Sequence, residues 1–206
     1  MPRRPFLHEY LLDHLNPVIR WLIIGDVLYY AGVGLLGPIF ALFIVDFIEG
    51  GNIEVAGIAI AIYLVTKSVF QIPAAMIIDK ICGEKDDFWF MFYSHLIAAI
   101  VPLAYLFVSS PLELYFAQFI LGIALAFNFP SFLALFTKHI SQAKEATTWS
   151  VYYTLIDLFS AIAAALGGVM ATLFGFAPVI ITVSAIGVIG ALLLLPMRPY
   201  LRKLNC

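Results

Sequence analysis

The stretch Ile72–Phe90, IPAAMIIDKICGEKDDFWF, closes one apolar run, crosses a short charged loop and opens the next. All of its charged residues lie between Asp79 and Asp87, and the residues on either side are apolar. The same alternation recurs along the chain, with apolar runs at roughly 18–46, 54–78, 88–109, 112–137, 147–173 and 176–196. Each is long enough to cross a hydrocarbon core of about 30 Å as a helix. A membrane barrel would instead show short segments of alternating hydrophobicity, which are absent. The expectation is an all-α integral membrane domain of six spans over 18–196, preceded by a lead-in (1–17) and followed by a tail (197–206).

Composition agrees. Of 206 residues, 63% are hydrophobic and 12% charged, whereas soluble domains are about half apolar and a quarter charged. The net charge of −2 gives no reason to expect a nucleic-acid partner; the expected surroundings are lipid. Cys82 and Cys206 are the only cysteines, too few and too far apart for a disulfide framework or a metal site, so no metal or cofactor is expected. The lead-in lacks the apolar core of a cleavable signal. It reads as an amphipathic segment, with Phe6, Leu7, Tyr10, Leu11 and Leu15 on one face and Glu9, Asp13 and Asn16 on the other.

Basic residues set the orientation. Arg3, Arg4 and Arg20 precede or open the first span, Lys80 and Lys85 follow the second, Lys138 and Lys144 follow the fourth, and Arg198, Arg202 and Lys203 follow the sixth. The alternate loops carry only acids, at Asp46, Glu49, Glu54 and Glu113. Both termini are therefore expected on the cytoplasmic side of a plasma (inner) membrane. The remaining basic residue is Lys67, inside the second span.

Three ionisable residues lie within spans away from their ends: Asp26, Lys67 and Asp157. A charge at the bilayer centre costs roughly 3 kcal/mol on insertion scales, so each needs a partner or a wet cavity. Lys67 is about 18 Å along its helix from Asp79, and Asp157 about 15 Å from Thr147, so the two have similar depth. Helical spacing places Tyr29 or Tyr30, Val33 and Gly37 on the face of Asp26, Tyr63, Lys67 and Gln71 on one face, and Tyr153 with Asp157 on another. With Gln118 and Asn128 these residues are expected to line a cavity, partly aromatic and partly polar. Pro38, beside Gly37, and Pro130 are expected to bend the first and fourth spans. Placing Pro38 on Pro130 also superposes Phe40 on Phe132, and the resulting shift maps the first three spans onto the last three. That pattern suggests a 3+3 inverted repeat.

The opening stretch resembles the loop signature between the second and third helices of the major facilitator superfamily. Ala75 takes its small position, Asp79 the acid, Lys80 the base, and Gly83 with Lys85 the glycine and basic tail. Ala75 replaces the usual glycine, and Gly83 comes one position late. The fourth span, QFILGIALAFNFP, is similar to that family's fourth helix, with Gln118 where an arginine is usual. In the fifth span Gly167 and Gly168 match the end of the glycine-rich antiporter signature.

The resemblance implies half of a twelve-helix fold, completed by a second copy about an axis normal to the membrane. Carried over from the family, the packing of the second helix on the fifth of the other half sets Lys67 against Asp157 of a second copy. Such a pair would lock a dimer, gate a cycle or touch substrate. The expected function is a secondary-active transporter of a small organic solute, cationic or amphipathic and efflux-like, working by alternating access as a homodimer. The alternative is a membrane scaffold that has kept the fold and lost the cycle. No nucleophile stands in a catalytic setting, so an enzyme is not expected.

Overall fold

The computed structural model describes residues 15–81 and 83–202. Among them the regular structure is entirely helical: α1 (Pro17–Leu36), a 3₁₀ turn (Gly37–Ile39), α2 (Phe40–Phe47), α3 (Ile53–Lys80), α4 (Glu84–Ala104), α5 (Pro111–His139), α6 (Glu145–Phe174), α7 (Phe176–Leu192) and a closing 3₁₀ segment (Leu195–Tyr200). With α1 and α2 as one broken span and the closing segment continuing α7, six helices among the described residues are long and apolar enough to cross a membrane. The amphipathic lead-in falls mostly outside the described residues, as does the end of the tail.

Local chemistry explains the starts and stops. Asn16 caps α1 by accepting from the Val18 amide at 2.9 Å, with Pro17 in the first turn. Asn52 does the same for α3 through the Val55 amide at 2.9 Å. Ser110 and Glu113 form a capping box at α5. Each supplies acceptors for amides that have no partner within the helix. The third span departs from the hydropathy expectation by starting at Glu84 and ending at Ala104 rather than covering 88–109. Glu84, Asp86 and Asp87 fill its first turn, where the helix dipole favours carboxylates although a hydropathy scan rejects them.

The first span breaks where Gly37 and Pro38 stand. In contrast, α5 runs unbroken through Pro130. The fourth span thus stays one helix at the position where a bend is expected, in keeping with the tolerance of membrane helices for proline.

The packing scheme has a regularity of its own. The main partners of α1 are α6 and α7; those of α5 are α3 and α4; and α4 also packs on α7. Exchanging the first three spans for the last three leaves this scheme unchanged, which fits a 3+3 repeat. Small residues let the pairs close. A Cβ on Gly167 of α6 would meet the Leu35 carbonyl of α1, and one on Gly122 of α5 would lie 2.7 Å from Thr66 of α3. The two helices of this scheme that pack on fewest neighbours are also the barest: 11% of the most apolar window of α6 and 22% of that of α3 is buried, against 44–50% for the other spans.

Candidate functional site

The residues expected to share one cavity divide into three groups. The first lines a real cavity of about 250 Å³ among α1, α3, α4 and α5. Its polar groups are Tyr29, Tyr63, Tyr105 and Gln118, set in an apolar wall that includes Val33 and Phe40, with Gly37 at its edge. The Gln118 amide donates to the Tyr105 hydroxyl at 3.1 Å, with both residues buried. Behind Tyr29, the His95 ring packs edge-on with centroids 4.9 Å apart. Its Nε2 is buried without a hydrogen-bond partner among the described residues. A hollow of this kind, apolar with a few converging hydroxyl and amide groups and no fixed charge, suits an amphipathic solute. Tyrosine faces also attract organic cations.

The second group is the α1/α6 seam. Asp26 points away from the cavity and accepts a hydrogen bond from the Tyr152 hydroxyl at 2.5 Å, and both side chains are buried. A turn further along, Ser160 donates to the Tyr30 carbonyl at 3.2 Å. Tyr30 packs against Tyr29 and does not line the cavity. Asn128 is also misplaced by the sequence expectation: its amide is buried and donates to the Met91 carbonyl at 3.3 Å, tying α5 to α4.

The third group faces outward. Tyr153 and Asp157 lie exposed on α6, and Lys67 and Gln71 half-buried on α3. The Lys67 ammonium sits 5.1 Å from the Phe129 ring centroid. Among the described residues no carboxylate lies within ion-pair distance of it, and none of the ion pairs involves Asp157. The single continuous cavity expected from the sequence is thus not present within one chain, because helical phase directs these four side chains to the other flank of α3 and α6.

At the basic end of the bundle the residues of the loop signature lie largely at the surface. Asp79, Lys80 and Lys85 are exposed and Ala75 is half-buried, and none of these charged residues forms an ion pair among the described residues. Gly83 has φ +137°, a conformation that glycine alone adopts readily. The charges that do engage are Glu84 and Asp87, each only 2% exposed. Asp87 accepts from Lys138 at 2.7 Å. Glu84 accepts from the Arg202 amide at 2.7 Å and lies 3.4 Å from the His139 ring. Reading the acids of the loop only against the family pattern missed this cluster; their pairing across more than fifty residues leaves no local signal.

The family model of the Major Facilitator Superfamily matches residues 22–205. The chain belongs to the major facilitator superfamily. Its fold is similar to that of a solved member of the POT family of transporters, PepTSo, crystallised in meso, with a TM-score of 0.75 at 14% identity. That likeness covers 91% of this chain and 38% of the other, so the chain spans well under half the length of that transporter. No curated protein matches the sequence. The six helices here accordingly form a unit of major-facilitator architecture in a multi-pass membrane protein.

Proposed function

We propose that this protein is a secondary-active transporter of a small organic solute, built from six-helix units that alternate access as a pair of identical copies. Membership of a transporter superfamily and the aromatic cavity support it, and one observation carries it. The barest helices, α3 and α6, hold opposite charges, Lys67 and Asp157, with no ion-pair partner in their own chain among the described residues. Each charge lies within a turn of a close helix crossing, Lys67 beside Thr66 and Asp157 three residues before Ser160, where Gly122 and Gly34 let the helices meet. A second copy related by a two-fold axis along the membrane normal would cover both faces at once. The tyrosine-lined hollows of the two copies would then open onto a shared space.

In this reading Asp79 comes near the positive end of the partner's α6, and the break at Gly37–Pro38 lets α2 swing over the cavity. The basic residues gathered at one end support cytoplasmic termini in a plasma membrane. The solute is amphipathic or cationic, since the hollow offers aromatic faces and hydroxyls.

The test is uptake into proteoliposomes of a panel of amphipathic organic cations, comparing wild type with Lys67→Ala. Gradient-driven flux in the wild type and its loss in the variant is the expected result. No flux of any solute under any gradient would instead favour a scaffold, a reading that the neutral Gln118, bonded to Tyr105 in place of the family's arginine, also suits.

A further inference from the structure

Two hollows at the basic end, on the flank of α4, take no part in the site described above, and Trp89 lines both. On one side, a cavity of about 400 Å³ lies between α4 and the closing 3₁₀ segment, lined by Lys85, Arg198 and apolar residues of Leu195–Leu201, with no acid in its wall. On the other, a groove of about 610 Å³ follows the boundary of α4 and α5 past Phe90, Tyr93, Ile97, Ile123 and Phe127. Phe90 and Phe127 stack across that boundary with centroids 6.1 Å apart. Tyr93 is 56% and Ile97 47% exposed, so the groove opens toward lipid. Its one acid, Asp86, stands at the basic end.

The chemistry of the two hollows is complementary to a single kind of molecule. Lys85 and Arg198 are exposed cations without a carboxylate partner among the described residues. The Arg198 guanidinium lies 4.8 Å from the Trp89 ring centroid, and tryptophan is the side chain that favours the depth of lipid headgroups. From Asp86 to Ile97 the helix rises about 16 Å, close to half of a hydrocarbon core of about 30 Å. A phosphate in the cavity and an acyl chain in the groove would meet at Trp89. Asp86 repels an anion from the groove mouth and so leaves the phosphate to the cavity side.

We infer that these hollows form one binding site for an anionic phospholipid, its phosphate between Lys85 and Arg198 and one acyl chain along α4 and α5. A bound lipid then joins the closing segment to α4 from outside the bundle. Basic pockets beside membrane helices recognise such headgroups, each cation contributing about a fivefold gain in affinity.

Purified full-length protein in detergent, titrated with palmitoyl-oleoyl phosphatidylglycerol or the phosphatidylcholine of the same chains, tests this by native mass spectrometry and thermal unfolding. Expected are one retained phosphatidylglycerol, a higher unfolding midpoint with that lipid alone, and about 25-fold weaker retention in Lys85→Gln/Arg198→Gln. Lys80→Gln, which removes a cation from the same end but from neither hollow, keeps the wild-type response. If the double variant does not survive purification, Lys85→Gln alone gives the reading through a fivefold loss. Equal retention of the two lipids, or undiminished phosphatidylglycerol binding in the variants, overturns the site. Glycerol phosphate is expected to give no shift; if it reproduces the shift, the site is one for soluble phosphates and the acyl assignment falls.

Discussion

Tyr152 and Asp26 form a polar contact in the membrane interior with both side chains buried, so each depends on the other for its hydrogen bond. Replacing Tyr152 with Phe leaves a buried carboxyl without its donor, at a cost of about 1–3 kcal/mol. The same change in an Asp26→Leu background costs much less, so a double-mutant cycle on thermal unfolding in detergent should return a coupling of that order. Gly167 makes a second residue-scale prediction. A side chain there meets the Leu35 carbonyl, and Gly167→Val is expected to cost at least the 1–3 kcal/mol of an overpacked core, read as a lowered midpoint or loss of the folded peak on size exclusion. Sequence alone picked out Asp26, Lys67 and Asp157, because a charge inside a long apolar run is visible without any contact map. It could not choose Tyr152 over Tyr153, since one residue of helical phase, about 100°, decides whether a ring faces α1 or lipid. It was equally blind to Glu84 and Asp87, whose partners are remote in sequence.

Among the elements, the broken first span is the most open to test. Gly37 has helical backbone angles, and a Cβ there would meet nothing within 4 Å, so Gly37→Ala is expected to stabilise the protein by about 0.5–1 kcal/mol. If α2 swings at this point during transport, the same variant slows uptake while raising the unfolding midpoint; a variant that is both more stable and equally fast would remove the hinge from the mechanism. Existence and number of spans were legible because the apolar runs are long and the loops short. Their ends were less so. The acidic first turn of α4 looks like loop to a hydropathy scan, while Pro38 and Pro130 look alike in sequence and yet only the first falls where the helix breaks. A proline removes one backbone donor at either site; whether the helix continues depends on packing that the chain does not display locally.

At the scale of the whole molecule, the proposed pairing of two copies makes a reciprocal prediction. Lys67→Asp sets like charges against each other, and Asp157→Lys does the same in the opposite sense. Each alone should weaken association by about 100-fold or more, given the roughly 3–5 kcal/mol cost of stranding a buried charge, whereas the double exchange restores it. Mass measurement in lipid nanodiscs checks the state, and disulfide cross-linking between cysteines placed at 67 and 157 checks the geometry; cross-links confined to one chain would defeat the pairing. The basic-end cluster carries a mechanical implication for such a pair. Through Glu84 and Asp87 the ends of α4 and α5 and the closing segment are clamped into one block, whereas α3 packs chiefly on α5 and is joined in sequence to α4 through Gly83. If α3 is the lever on which a partner pulls, Gly83, at φ +137°, is the swivel between lever and block. Gly83→Ala, which disfavours this backbone conformation, should leave solute affinity near wild type and lower the rate of turnover, so that torque rather than binding is what this glycine governs.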